Sequence, residues 1–429
     1  MSTLKLGIAG LGTVGAGLIG LLRQNAQVLE QRAGRPMSVV AVSARSRSRD
    51  RGLDLAGVDW CDDARELAAR DDVDVVVELI GGEDGIALEL VEAAIAAGKH
   101  VVTANKALLA VNGTRLARAA DASGVHVGFE AAVAGGIPIV KALREGLAGN
   151  RIERLYGILN GTSNYILTEM RRHGSPFGAV LAEAQALGYA EADPALDVGG
   201  GDAAHKLAIL ASLAFGRPVD FDGVYVEGIE GVTPEDISFA GELGFRVKLL
   251  GIAEQTGHGI AQRVHPCMVP IGGNIAHVEG VFNAVVVQSD RADVTTYIGR
   301  GAGAGPTASA VAADIVDIAR GKRLPLFNVP AAQLAGLPGA PMERRNGCYY
   351  IRLNVVDQPG VIADISAILR DHAISLESLL QRGRDPGEIV PVVLTTHETD
   401  EAAMVEALAR IGRLNVVVEK PCMIRIEFL

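Results

Sequence analysis

The chain is expected to be an α/β protein in three parts: a doubly wound parallel sheet, an α+β middle region and a small C-terminal β-α-β-β-α-β module. Three observations carry this expectation. Over about the first 130 of 429 residues, short β-branched runs alternate with amphipathic helical stretches, the pattern of parallel strands joined by crossover helices. A glycine-rich turn, GIAGLGTVG, directly follows the first of those runs. From residue 348 onward the pattern runs strand, helix, strand, strand, helix, strand, a ferredoxin-like order.

In chain order, the expected strands of the first region are Leu4–Ala9, Val39–Ser43, Val73–Leu79, His100–Thr103 and His126–Phe129. A helix is expected over Leu18–Leu29, and two more in ALELVEAAIAAG and ALLAVNGTRLARAADASG, each closing on a glycine suited to a C-cap. Residues 131–301 mix helices with strand-like runs such as ERLYGILNGT, FRVKLLGIAEQ and NAVVVQS. The run GRGAGAGPTASAVAADIVDIARG then reads as a glycine-rich loop entering a helix of about fourteen residues, which would return to the first domain at about 302–322. Repeated prolines and glycines mark 323–347 as a linker, and 348–429 forms the last module through YYIRLNVVD, VIADISAILRDHA, ISLESLLQRG, IVPVVLTTHET, DEAAMVEALARIG and NVVVEKPCMIRIEF.

Bulk composition narrows the function. Apolar residues make up 49% and charged residues 21%, which describes folded domains rather than a disordered chain. Acidic residues exceed basic ones by 51 − 40 = 11, and no long Lys/Arg run occurs, so nucleic acid and anionic membrane are excluded as expected partners. With no leader pattern and no run of about eighteen apolar residues, a cytosolic (cytoplasmic) protein acting on small molecules is expected. Cys61, Cys267, Cys348 and Cys422 lack metal-ligand spacing and read as buried small hydrophobes. His265 and Cys267 would share one strand face without forming a catalytic pair.

Gly10, Gly12 and Gly15, with Leu11, Thr13 and Val14 between them, follow a strand and open a helix, the context in which GxGxxG cradles a pyrophosphate. Where an NAD-preferring fold places an acidic residue, this chain has SARSRSR, so Arg45 and Arg47 suit a ribose 2′-phosphate and favour NADP over NAD. A solvated basic loop is the plainer alternative. Lys106 lies at the carboxyl edge of the sheet, with Asn105 beside it as a possible helix cap; Glu78 is either strand-end packing or a ribose contact.

The densest segment is GYAEADPALDVGGGDAAHK, residues 188–206. Asp202 could cap the following helix with Lys206 as its i,i+4 partner, yet that helix continues LAILASLAFG and is almost wholly apolar. Charges at the mouth of a core need partners or a purpose, and a carboxylate-flanked lysine suits proton donation to a small polar substrate. Asp193 and Asp197 have no assigned role. His205 should point about a hundred degrees away from Lys206.

GLGTVG at 10–15, ELIGG at 78–82, TANKALLA at 103–110, EAAVAGGIPI at 130–139, LNGTSNYIL at 159–167, LGYAEADP…D…GGDAAHKL at 187–207 and GAGAGPTASAV at 301–311 together resemble the homoserine dehydrogenases with a C-terminal ACT domain. The resemblance covers essentially the whole chain. It implies a Rossmann NADP-binding domain (1–130 plus about 302–322), a substrate-binding and dimerisation domain (131–301) and an ACT regulatory domain (348–429). The implied activity is interconversion of L-homoserine and L-aspartate 4-semialdehyde with NAD(P)(H). Carried over by motif, Lys206 is the proton donor and Lys106 a second lysine near nicotinamide and substrate. Glu191 would bind the substrate ammonium, supported by Asp202, Gly161 and Thr162. A monovalent cation such as sodium would sit on Glu130 and the carbonyls of Val133, Gly135 and Ile137, where a tight turn without an ion is the alternative. The ACT domain implies a threonine effector or, more plainly, an oligomerisation module, in a homodimer or homotetramer. A 2-hydroxy-acid dehydrogenase would need a histidine acid/base and a phosphorylating semialdehyde dehydrogenase an activated cysteine, and neither is in a suitable context.

Overall fold

The structure is a computed structural model and describes residues 2–382 and 387–429; the expected segment ISLESLLQRG ends on Gly383, outside them. Leu4–Ala9, Met37–Ser43, Asp59–Cys61, Val75–Glu78, His100–Thr103 and Val127–Gly128 form an all-parallel sheet. Its strand order is 3-2-1-4-5-6, the doubly wound arrangement, so a crevice opens at the carboxyl ends between the first and fourth strands. Valines buried on both faces of Val75–Glu78 and His100–Thr103 account for runs without alternation. The expected helix Leu18–Leu29 is instead two helices, Thr13–Gln24 and Ala26–Ala33, broken at Asn25. Asparagine competes for local backbone groups and so favours such a break over helix interior. The expected strands Val73–Leu79 and His126–Phe129 are both shorter in the structure.

Helix Ala304–Ala319 does return to this domain, and Gly17 on the first helix lets it approach: a Cβ there would lie 3.0 Å from the Ala304 carbonyl oxygen. Pro306 falls within its first turn, where a missing N–H costs nothing.

A second sheet runs, neighbour to neighbour, through Asp293–Arg300, Phe282–Ser289, Ile152–Ile158, Phe245–Thr256, Gly259–Pro270, Cys422–Ile426, Asn346–Val356, Ile389–Thr396 and Leu376–Gln381. The last four strands, with helices Val361–Asp371 and Glu401–Ile411, form the expected β-α-β-β-α-β module, although its final strand spans only Cys422–Ile426. That strand joins Gly259–Pro270 in parallel through just two residue pairs, Cys267 with Arg425 and Met268 with Ile426. The middle domain and the C-terminal module therefore share one sheet.

Against that sheet lies helix Gly201–Phe215, buried at every residue from Asp202 to Leu213. Each of its fully buried Leu and Ile side chains contributes about 1.5–3 kcal/mol. Gly251 makes room for it, because a Cβ there would come within 2.8 Å of Leu159 and 3.5 Å of Leu207.

The module is also bolted to helix Pro234–Glu242. Thr233 and Asp236 form a capping box, and Asp236, wholly buried, accepts from Arg352 Nε at 2.7 Å and from the Tyr350 hydroxyl at 3.0 Å. The hydrogen bonds and charge of Arg352, with those of Thr233, outweigh burial and hold the Asp236 carboxyl below its usual range. Asp236→Ala is expected to cost about 3–5 kcal/mol by stranding a buried guanidinium, read as a lower urea midpoint; an unchanged midpoint would count against it.

Candidate active site

At the crevice, the glycines fit a dinucleotide. Gly10 has φ 98°, and a Cβ on it would lie 2.4 Å from the Leu79 carbonyl oxygen; one on Gly15 would lie 2.0 Å from the Gly10 carbonyl oxygen. These two pack backbone on backbone, whereas the space beyond Gly12 is open to a ligand's phosphates. Gly12 is also the N-cap of helix Thr13–Gln24 and supplies no capping side chain, so the first amide N–H groups remain for an anion. Leu11 is buried while Thr13 is exposed and Val14 half-buried at the rim. Arg45 and Arg47 are exposed, and neither side chain has a hydrogen-bond or ion-pair partner among the described residues. The loop they ride on is braced by Arg51, which donates to the carbonyls of Leu11, Ser46 and Arg49 at 3.2, 2.7 and 2.8 Å. Arg51 thus ties the glycine turn to the basic loop, a role its place in the SRSRDRG run did not distinguish.

Glu78 is fully buried and accepts from Ile80 N at 2.7 Å, Gly81 N at 3.0 Å and the Thr103 hydroxyl at 2.6 Å. This is strand-end packing that shapes the ELIGG turn. Asn105 does cap its helix, accepting from Leu108 N at 3.1 Å, and its amide donates to the Gly82 carbonyl at 2.7 Å. Lys106 is turned inward rather than toward solvent: its Nζ lies 3.1 Å from Asp202 Oδ1.

Asp202 is the centre of the site. Gly200, with φ 88°, is the N-cap of Gly201–Phe215, so Asp202 sits in the first turn and does not cap the helix. Its second oxygen meets Lys206 Nζ at 2.6 Å, the expected i,i+4 pair, and Asn160 Nδ2 at 2.8 Å. Burial would raise the Asp202 carboxyl, but the charges of Lys206 and Lys106 and the bonds from Lys206 and Asn160 win and hold it well below the usual range. It is anionic throughout the working pH range. Lys206, with only 9% of its side chain exposed, also donates to the Leu159 carbonyl at 2.7 Å, and Asn283 Nδ2 donates to that same oxygen at 3.0 Å. An ammonium has three protons, so two are committed and one remains for a ligand atom.

Two residues that sequence reasoning missed complete this cluster. Asn160 caps helix Gly161–His173 through Ser163 N at 2.7 Å while its amide bridges Asp197 at 2.7 Å and Asp202. Asp197, left without a role, belongs to the site; burial raises its carboxyl, with the Asp202 charge acting the same way and Asn160 opposing. The signal for Asn160 was the cap pattern N-G-T-S, whereas Asp197 is brought in only by the turn Ala195–Val198. Gly161 approaches the Val281 carbonyl so closely that a Cβ would lie 2.8 Å from it. Thr162 donates to the Tyr189 carbonyl at 2.7 Å, which ties the 188–194 segment to this helix. Glu191 on that segment is exposed, and its side chain has no partner among the described residues. The structure does not bring it into the lysine cluster.

Glu130 is buried, and its two oxygens accept from Val140 N and Lys141 N, both at 2.9 Å. Burial and the neighbouring Asp314 push its carboxyl up to about 7. Val133, Gly135 and Ile137 follow in a buried turn with positive φ at Ala134 and Gly135. A desolvated carboxylate beside a second acid and a turn of small residues fits a monovalent cation, which would relieve that repulsion.

The cysteines give no nucleophile. Cys61 and Cys267 are buried and Cys348 and Cys422 only partly so, which corrects the expectation that all four are buried. Cys267 Sγ is 3.2 Å from His265 Nδ1, but burial drives the thiol well up and the imidazole well down, leaving a neutral pair. Glu427 joins them within 4.8 Å, yet it is already paired with Arg263 and Arg345, whose charges disfavour a metal ion there. His205 stacks on Phe221 at 4.4 Å, away from Lys206.

A doubly wound sheet with a dinucleotide turn, abutting a lysine that holds one uncommitted proton, defines a nicotinamide-dependent oxidoreductase. Family comparisons name it more closely: the NAD binding domain of homoserine dehydrogenase matches residues 10–130, homoserine dehydrogenase 138–316 and the ACT domain 349–413. The chain is 48% identical to the homoserine dehydrogenase of Neisseria gonorrhoeae and 47% to that of Pseudomonas aeruginosa, each over the full length of both proteins. The crystal structure of a homoserine dehydrogenase from Thiobacillus denitrificans superposes with a TM-score of 0.95 at 49% identity, covering 100% of this chain and 99% of that one. A hyperthermophilic archaeal homoserine dehydrogenase in complex with NADPH matches 74% of this chain and 97% of its own, at 26% identity and a TM-score of 0.63. This chain belongs to the homoserine dehydrogenase family, enzymes that interconvert L-homoserine and L-aspartate 4-semialdehyde with NAD(P)(H).

Proposed function

We propose that Lys206 is the proton donor and acceptor of this reaction, with Lys106 and Asp202 fixing its place. The observation that carries the reading is the double pairing of one buried carboxylate with two ammonium groups. The nicotinamide supplies or takes the hydride when bound. Reduction of the aldehyde develops an alkoxide, and the third proton of Lys206 is the donor within reach of it. Oxidation of the alcohol needs Lys206 neutral. Lys106, about one-third exposed, points to the same carboxylate from the nucleotide domain and would contact substrate and nicotinamide together. Glu191 is the proposed partner of the substrate ammonium; its exposed segment would close inward on binding, held at its base by the Thr162 bond.

Arg45 and Arg47 favour NADP over NAD, since both are exposed, have no hydrogen-bond or ion-pair partner among the described residues, and follow the second strand where an NAD-preferring fold places an acidic residue. The bound NADPH of the archaeal relative supports this reading. Glu130 with the carbonyls of Val133, Gly135 and Ile137 would hold sodium. The C-terminal domain would bind threonine at a cleft of about 270 Å³ lined by Gln358, Pro359 and Gly360.

Lys206→Ala is expected to lower kcat about 10²–10⁴-fold in the homoserine and NADP+ assay while cofactor affinity is kept; retention of turnover would end the assignment. The wild-type oxidation rate should climb from neutral to alkaline pH, and a flat profile would remove its main support. Arg45→Ser with Arg47→Ser should cut kcat/KM for NADP+ about thirtyfold or more with that for NAD+ little changed, each lost phosphate contact being worth about 1 kcal/mol or more. Replacing sodium by choline should lower activity, and threonine should inhibit; indifference to either disposes of that site.

A further inference from the structure

Arg425, on the last strand of the ACT domain, is 1% exposed and lies at the two-residue seam where that strand meets the middle domain. Its guanidinium holds Glu227 through Nη1 at 2.6 Å and Nη2 at 3.2 Å, holds Glu401 of its own domain through Nε at 3.0 Å, and stacks on Tyr225. Glu227 lies in the loop after strand Tyr225–Val226, with its own N–H bonded to the Val264 carbonyl at 2.7 Å.

The next two residues press on the catalytic turn. Gly228 packs so tightly that a Cβ would lie 2.5 Å from the Val198 carbonyl oxygen and 2.8 Å from Gly199 Cα. Ile229 is fully buried and its N–H donates to the same Val198 carbonyl at 2.9 Å. Val198 follows Asp197, and Gly200, which would meet Val226 and Val264 if it carried a Cβ, caps the helix of Asp202 and Lys206. A continuous chain of contacts therefore leads from an ACT-domain arginine to the proton-donating lysine.

We propose that Glu227 is a positioning residue for the reaction: gripped by Arg425, it sets the turn 197–200 and through it the place of Asp202 and Lys206. The proposal rests on reading Lys206 as the proton donor. Its physical basis is that a half-buried carboxylate gripped by a buried guanidinium and a glycine contact with no slack transmit displacement instead of absorbing it, and a shift of about 1 Å at a reacting group can cost up to about a hundredfold in rate.

The test uses the full-length enzyme with Glu227→Gln, Arg425→Met, the pair together, and Arg425→Lys. Glu227→Gln is expected to lower kcat for homoserine oxidation about tenfold while the Kd for NADPH, measured by its nicotinamide fluorescence, stays put. The double variant should be no slower than Arg425→Met alone, because Arg425→Met already breaks the Glu227 contact along with those to Glu401 and Tyr225, and Arg425→Lys should recover part of the rate. A kcat for folded Glu227→Gln within about twofold of wild type, or losses that multiply in the double variant, would overturn the proposal. Should Arg425→Met fail to fold, Glu227→Gln decides alone. Lys206→Ala serves as the separate control: if it retains turnover the proton-donor reading fails, and if it is inactive while Glu227→Gln is not, only the positioning role fails.

Discussion

A carboxylate buried as deeply as Asp202, with 7% of its side chain exposed, cannot stand unpaired without a penalty of several kcal/mol. Its partners come from three separate parts of the chain: Lys106 at the start of a helix of the nucleotide domain, Asn160 at the end of a middle-domain strand, and Lys206 one turn along the same helix. Satisfying that one group therefore fixes how the two domains face each other at the crevice. It also places two ammonium groups beside the nucleotide site before any substrate arrives, and preorganised charge of this kind requires no reorganisation during the reaction.

Much of this could be read from the chain. The apolar run after Lys206 made its helix a buried one, and a buried helix turned the i,i+4 pair from a surface ornament into a site. The glycine turn was equally plain, because Gly10 and Gly15 are required by backbone contacts within a local strand-turn-helix unit. What stayed hidden depends on long-range packing. Asn160 caps its helix, but nothing local shows its amide reaching Asp197 and Asp202, 37 and 42 residues on. Asp202 looked like a cap and is not, since Gly200 takes the left-handed conformation that ends the preceding turn. Arg425 and Glu227 are 198 residues apart, and no periodicity links them.

The shared sheet poses a different physical problem. The module's last strand would present an open edge, and pairing it with Gly259–Pro270 covers those N–H and C=O groups. Yet a ladder of two residue pairs specifies its register weakly, and a slip of one residue would turn every side chain of Cys422–Ile426 to the opposite face. Side chains must supply what the ladder does not. Arg425, bonded to Glu401 of its own domain, reaches Glu227 across the seam in the observed register, and Glu427, bonded through its N–H to the Met268 carbonyl at 2.9 Å, meets Arg263 and Arg345 from the same strand end.

Buried ion pairs of this sort add little net stability over well-packed apolar residues, because desolvation offsets most of their attraction. Their worth lies in the contrast with the wrong register, where each stranded charge is strongly unfavourable. The same property makes the seam stiff: a guanidinium with all its partners in place resists sliding more sharply than a greasy contact of equal area. A domain joined to the catalytic sheet by so short a ladder could otherwise rock without consequence. Arg425 grips Glu227, and Gly228 and Ile229 pack on Val198, so the contacts that fix the register also run from the C-terminal domain to the turn that precedes the helix of Lys206.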